Sequence, residues 1–326
     1  MWIALAVLVA LLASVEIGAR LAGLGRPLLY EKTDYGYRVV PGQALKRFGN
    51  RVSYNAYGMR SEAVEPRPGP GVLRVLCVGD SITFGSASTD QAQTYPYQLQ
   101  ALLERHGDGA RYEVLNISAG GWALENEEGW LKAHGIYGSH AVILQVATHD
   151  LFQEKAASDV VGSHASFPER PPLLALQELT VRYVLPRLSA RLRLRDPGEV
   201  LYYHDRDDIA RNMATLERIA AYVRGEGAEL FVLFVEQPRG YEPDDDLTRY
   251  GKSRFYEKTE ELRIPLILTG EAMDAAGGAS AFFDGLHPNS VGNRVLAEQT
   301  ASQLIKSQRE LKRGSPRRLA LVHTAR

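Results

Sequence analysis

Short apolar runs recur along the chain at Leu73–Val78, Tyr112–Ile117, Ala141–Ala147, Leu230–Val235 and Ile264–Leu268. Each is nearly continuous in apolar character and bounded by Gly, Pro, Asp or Asn. A strand with one wet face would alternate, so these runs read as strands buried on both faces. Helical spacing lies between them. Pro96 followed by Leu99, Leu102 and Leu103, closed by Gly107, reads as an amphipathic helix with Pro near its start and Gly at its end. Ile209, Met213, Leu216, Ala220 and Val223 repeat at three and four and stop near Gly225. Strands alternating with helices predict a three-layer α/β/α sandwich around a five-stranded parallel sheet with right-handed crossovers. Ligands in such sheets bind beyond the carboxyl ends of the strands, which directs attention to the residues that follow each run.

The α/β pattern occupies residues 71–305 and leaves four stretches to explain. Trp2 to Val15 is unbroken apolar sequence, interrupted by Glu16 and Arg20 before a last apolar patch to Leu24. Residues 1–24 therefore read as a hydrophobic membrane anchor or signal segment, with a buried core helix as the alternative. The unbroken part falls short of the roughly 20 residues that cross a bilayer, and neither a preceding Lys or Arg nor a small-x-small site marks it as a cleaved signal. An uncleaved anchor would place Glu16 and Arg20 near the interface, as an i, i+4 pair with a snorkelling Arg. Orientation stays open. Arg20, Arg26 and Lys32 follow the run, and a literal positive-inside count would hold the domain on the cytoplasmic face. Residues 25–70, rich in Gly and Pro, read as an irregular arm. Residues 151–206 are a long insertion punctuated by Pro168, Pro171, Pro172, Pro186 and Pro197, with a helix at about Leu173–Leu185; a lid and structural padding are equally good readings. Residues 306–326 form a basic tail around Lys312, Arg313, Arg317 and Arg318, most simply solvated.

Composition narrows the function only a little. With 326 residues, 45% hydrophobic, 24% charged and a net charge of -1, the chain is ordinary globular protein without the basic footprint of a nucleic-acid binder. The single cysteine, Cys77, precludes an internal disulfide and a four-cysteine zinc site, and its place inside the first strand reads as a small buried hydrophobe. His106, His134, His140, His164, His204 and His323 lack metal-ligand spacing. No metal or organic cofactor is expected.

The chemistry follows the strands. After the first comes Gly79-Asp80-Ser81-Ile82-Thr83-Phe84-Gly85, where glycines let the backbone bend tightly around a serine and a helix amino end favours developing negative charge. By itself this is a weak signal, equally an Asp/Ser helix cap. It is neither a P-loop nor a G-x-S-x-G elbow. Near the far end, Phe283-Asp284-Gly285-Leu286-His287-Pro288-Asn289 puts a carboxylate three residues before an imidazole. A catalytic serine needs a base, and the base needs an acceptor for its other nitrogen; one turn could supply both. Other features weigh less. Asn116-Ile117-Ser118 matches a glycosylation pattern at a buried strand end, Gln237-Pro238-Arg239 reads as a turn or a substrate contact, and Asp244, Asp245 and Asp246 read as a solvated loop.

Together the two segments resemble the SGNH hydrolases, the GDSL-type esterases and lipases, over residues 73–305, with 151–206 the least matched part. The resemblance implies a flavodoxin-like SGNH fold with Ser81 as nucleophile, His287 as base and Asp284 as its orienting carboxylate. It assigns the oxyanion hole to the N–H groups of Ser81 and Gly121, with a third donor from a Gly-x-Asn-Asp block. Here that block reads Ala147-Thr148-His149-Asp150. His149 stands where the asparagine is usual, and an imidazole could donate one N–H if its tautomer were fixed. A lost donor costs on the order of 100-fold in rate. Val52 to Arg60 resembles the arm before the first block in membrane-associated bacterial members. The expectation is thus a membrane-anchored serine esterase on the envelope or periplasmic side, acting on O-acyl esters of a carbohydrate or lipid. An O-acyltransferase using the same triad on a polysaccharide and a non-catalytic glycan-binding relative are the alternatives.

Overall fold

The computed structural model describes residues 1–106, 110–192, 206–238 and 240–312. His204, Arg239, His323 and the tail arginines lie outside them. The chain begins in helix α1 (Trp2–Leu21), 20 residues of which only Ala19 is buried. At 1.5 Å per residue α1 is about 30 Å long, so by length and composition it could cross a membrane. Arg20 Nε stands 2.6 Å from Glu16 Oε1, the i, i+4 pair its spacing suggested.

Residues 25–70, expected as an irregular arm, instead contain two antiparallel hairpins. β1 (Tyr30–Thr33) pairs with β2 (Gly36–Val39), and β3 (Ala44–Arg47) with β4 (Asn50–Ser53). Their strands are four residues long, too short for an alternation to stand out among the Gly and Pro. Tyr30, Tyr37, Val39, Val52, Tyr54 and Met59 nonetheless turn inward and join the main core.

The five apolar runs form one parallel sheet in the order β6-β5-β7-β8-β9. Its strands are β5 (Val72–Gly79), β6 (Arg111–Ser118), β7 (Ala141–Ala147), β8 (Glu229–Val235) and β9 (Leu266–Leu268). Alternate side chains feed two cores. Leu76, Val78, Leu144, Val146, Val232 and Phe234 point to the face covered by the arm, α4 (Leu124–His134), α7 (Arg206–Gly225) and α8 (Asp246–Glu261). Val75, Cys77, Ile143, Ala147, Phe231 and Leu233 point to the face covered by α3 (Tyr95–His106) and α10 (Ser290–Lys312). Cys77 is fully buried, and burial pushes its thiol well above the usual range. The strand order reverses direction at β5, which puts the topological switch point at the end of the strand that leads into Ser81.

The insertion carries a helix longer than its pattern implied. α5 (Ala175–Leu179) runs through a π-helical turn (Thr180–Val184) into α6 (Leu185–Arg191). Pro186 explains the π turn, since its ring would clash with the carbonyl four residues back in a regular helix and the wider turn makes room. The short helices α2 (Ser81–Phe84) and α9 (Gly270–Ala275) and 3-10 turns, among them Thr148–Leu151, complete the described fold.

Candidate active site

β5 ends at Gly79, where a Cβ would run into Thr83 Oγ1 and Gln145 Oε1, so only glycine lets the turn close. Gln145, from the neighbouring β7, accepts from Thr83 Oγ1 at 3.0 Å and from the Asp80 N–H at 3.3 Å. Asp80 caps α2, its Oδ1 accepting the Ile82 N–H at 2.8 Å. Gly85 ends α2 in the left-handed region at φ 66°. The serine is thus presented on a turn pinned to the central strand and its neighbour.

The second segment sits against it as a closed loop. The Phe283 N–H donates to His287 O at 2.8 Å, and Asp284 Oδ1 accepts the N–H groups of Leu286 and His287 at 3.1 and 2.9 Å. Asn293, on α10, donates to Pro288 O at 2.9 Å and accepts the Tyr95 N–H at 2.9 Å, tying this loop to α3. Asp284 Oδ2 lies 2.8 Å from His287 Nδ1, and His287 Nε2 lies 2.9 Å from Ser81 Oγ. Burial raises the Asp284 carboxyl, but the two backbone donors and the His287 ring outweigh it and hold the group below the usual range. A hydroxyl bonded to an imidazole that a carboxylate orients can lose its proton to the ring on attacking a carbonyl. The cleft beside Ser81 has a volume of about 330 Å³ and is walled by Gly85, Ser86, Ser88, Thr89, Phe283 and Pro288.

Gly121 follows β6, the neighbour of β5 on its other side. Because Gly79 pairs with Ser118 in register, Ser81 and Gly121 leave adjacent strand ends. Gly121 is exposed, has φ 78°, and is held by Gln153 Nε2, which donates to its carbonyl at 2.8 Å.

His149 follows β7 as expected, but its ring does not stand as a free donor. Its Nε2 is 2.8 Å from Asp80 Oδ2 and 3.3 Å from Asp150 Oδ1, while Nδ1 is buried without a hydrogen-bond partner. Nε2 faces two carboxylates and Nδ1 is enclosed, so the ring lies in a carboxylate contact behind the serine where the sequence suggested an oxyanion donor. Burial alone would discharge this imidazole; Asp150 and Asp80 reverse that and raise it to about 9. Asp80 is buried, yet its bond to the imidazolium keeps it below the usual carboxylate range. Asp150, whose Oδ2 accepts the Ala147 N–H at 2.7 Å, is raised to about 7 by burial despite His149. Asp80, His149 and Asp150 bring ligand-type atoms within 4.8 Å of one another.

Three contributors escaped the sequence reading. Glu127, on α4, is buried beside this cluster and raised well above the usual range by burial and by the charges of Asp150 and Asp80. Gln145 sat in an apolar run as its single polar residue, which was a usable signal. Arg60, in the arm, is buried and donates to Phe84 O, to Ser86 O at 2.7 Å and to Thr89 O at 2.7 Å. It holds the cleft wall, and neither its spacing nor its type announced that. The remaining features fall where packing dominates. Asp245 caps α8 through the Thr248 N–H at 2.7 Å, while His134 bonds the Tyr35 hydroxyl and His140 and His164 accept the N–H groups of Arg74 and Ser166.

A family model described as the GDSL-like Lipase/Acylhydrolase family matches residues 77–295, more than half of the chain. The chain belongs to this family. It is an SGNH-type hydrolase acting on ester bonds, with the SGNH fold. Similar solved structures include TesA, at 19% identity, covering 71% of this chain and 97% of that one with a TM-score of 0.46. A mutant of Axe2, an acetyl-xylooligosaccharide esterase from Geobacillus Stearmophilus, is 16% identical over 73% of this chain and 96% of that one, with a TM-score of 0.45. The acetyl xylan esterase AlAXEase is 14% identical over 71% of this chain and 100% of that one, with a TM-score of 0.44. No curated protein matches the sequence.

Proposed function

We propose that this family member is a serine esterase that removes short O-acyl groups from a carbohydrate of the cell envelope. The observation that carries the reading is the unbroken line from Asp284 Oδ2 through His287 to Ser81 Oγ, with links of 2.8 and 2.9 Å. Ser81 Oγ attacks the ester carbonyl and its proton passes to His287 Nε2, while Asp284 holds the Nδ1–H and stabilises the imidazolium. The backbone N–H groups of Ser81 and Gly121 meet the tetrahedral oxyanion. His287 then protonates the departing alcohol; water next gives a proton to His287 and attacks the acyl carbonyl, and as the acyl–Oγ bond breaks Ser81 Oγ takes that proton from His287 and the acid leaves. His149 acts here by holding Asp80, and through it the serine turn, rather than as a third donor.

The cleft supports the substrate reading only through its size and the hydroxyls at its rim. Its surface is mostly apolar, with Ile82, Phe283 and Pro288 beside the hydroxyls of Ser86, Ser88 and Thr89, and its volume of about 330 Å³ supports a short acyl group better than a long chain. Placement at the envelope rests on α1 as an anchor. The test is turnover of acetyl esters and acetylated polysaccharide by the purified chain, with Ser81→Ala as control. Free acetate that disappears with Ser81→Ala supports the proposal. Acetyl groups passed to added glycan without free acetate would replace hydrolysis by transfer, and unchanged turnover by Ser81→Ala would remove Ser81 from the mechanism.

A further inference from the structure

We propose that the helix Ala175–Arg191, inside the long insertion, lies in the plane of a membrane surface as a second lipid contact beside α1. The proposal rests on α1 entering that same membrane. Val181, Val184, Leu185, Leu188 and Leu192 are 45, 47, 47, 48 and 59% exposed. Their spacing of three, one, three and four puts them on one helix face. The opposite face is docked. Ala175 is buried with Ala19 and Leu24, Tyr183 accepts from Arg47 at 2.9 Å and packs edge-on against Phe48, and the buried Glu178 pairs with Arg47. The direction of the stripe is therefore fixed by packing. Contiguous exposed apolar surface of this kind marks an interaction site.

Continuity and charge select a lipid surface as the occupant. The helix starts at the last turns of α1: Glu16 accepts the N–H groups of Ala175 and Leu176 at 3.0 and 2.8 Å, and Arg20 donates to Leu173 O at 3.2 Å. Glu16 and Arg20 are the first charges after the apolar run, so they mark where α1 leaves hydrocarbon, and the helix attached to them sits at interface depth. Leu173 itself is 90% exposed there. Arg182 borders the stripe on one side, and Arg187 and Arg191 border it on the other. Arg20, Arg26 and Lys46 line a cleft of about 570 Å³ at the foot of α1. Apolar stripe, flanking arginines and the half-exposed Phe48 together match an interfacial amphipathic helix, which gains from buried apolar area and from anionic headgroups.

The test uses the full chain in vesicles of phosphatidylcholine with a minor share of phosphatidylglycerol. Leu188→Cys carries an environment-sensitive fluorophore; Cys77 is fully buried and leaves the new thiol as the labelled site. Glu226→Cys, exposed at the turn before β8 and at the far end of the sheet from Ser81, is the control. Flotation with the vesicles reports on α1, and retained acetyl-ester turnover reports on folding and on the enzymatic reading. Lipids spin-labelled near the headgroup should quench the Leu188→Cys label several-fold more than aqueous iodide does, and the Glu226→Cys label in the reverse order. A floating, active protein whose Leu188→Cys label answers only to iodide overturns the proposal. So does a label shielded from both quenchers that cross-links to a second copy, and failure to float removes its foundation.

Discussion

His149→Leu removes the cation that answers two buried carboxylates. Asp80 would keep the Ile82 N–H and Asp150 the Ala147 N–H, but both would lose the imidazolium that faces them. Breaking a buried pair from one side costs about 3–5 kcal/mol. The His149 side chain is 30% exposed, so solvent screens part of this and about 2–3 kcal/mol is the reasonable expectation. For a chain of this size each kcal/mol moves Tm by roughly 2–4 °C, which gives a fall on the order of 5–10 °C at pH 7. The pH dependence is more diagnostic. His149 is raised from its ordinary value of 6.5 to about 9, so its stabilisation is complete below about pH 6.5 and disappears as pH rises through about 9. Asp150, raised to about 7, also prefers its proton in the folded state and adds a loss with the same sign at lower pH. Thermal unfolding followed by circular dichroism from pH 6 to 10 should therefore show the gap between parent and variant closing at the alkaline end. A variant that melts within about 1 °C of the parent at pH 7, or a gap of constant size to pH 10, would refute the ion pair.

Ser81→Ala should reduce kcat by about 10³-fold or more toward acetyl esters while leaving Tm within a degree or two, measured by acetate release and calorimetry. Asp284→Asn keeps the loop's shape but offers the wrong partner to His287 Nδ1, and a kcat loss of about 10²–10⁴-fold with little change in KM is expected. Arg60→Met leaves the carbonyls of Phe84, Ser86 and Thr89 without their donor; at about 1 kcal/mol or more for each, urea denaturation should show a loss of about 3 kcal/mol, and the loosened cleft wall should raise KM. Gly79→Ala forces a methyl against Thr83 and Gln145 and should lower both Tm and activity, whereas Gly135→Ala, with open space around its Cβ position but φ 77°, should cost only its backbone strain.

The sheet was legible because its inner strands are buried on both faces: β7 coincides with its apolar run, and β5, β6 and β8 each extend theirs by one or two residues, whereas the edge strand β9 starts two residues into its run and leaves Leu268 exposed. Gly79-Asp80-Ser81 and Asp284-x-x-His287 were each a weak signal alone; only together, through the family resemblance, did they single out two segments that the fold brings within hydrogen-bond distance across 206 positions. What stayed hidden depends on distant partners. His149 could be read only by analogy with an amide, because the carboxylate that captures it, Asp80, lies 69 positions away. The hairpins of the arm were masked by their brevity. The helix of the insertion ran past its expected end because a π turn made Pro186 tolerable.

The arm also changes what kind of tether α1 can be. Tyr37 donates to Gly120 O, Trp122 Nε1 donates to Tyr37 O, and Arg60 grips the loop that walls the cleft. Between the foot of α1 and Ser81 the load path is packed side chains throughout, which makes the arm a bracket in place of a leash. In a membrane-bound chain the height and tilt of the cleft above the bilayer are then constants of the fold. Such an enzyme works at a set altitude: its ester must arrive at that height, and extra residues spliced in at the surface loop 65–70 would add length without adding reach.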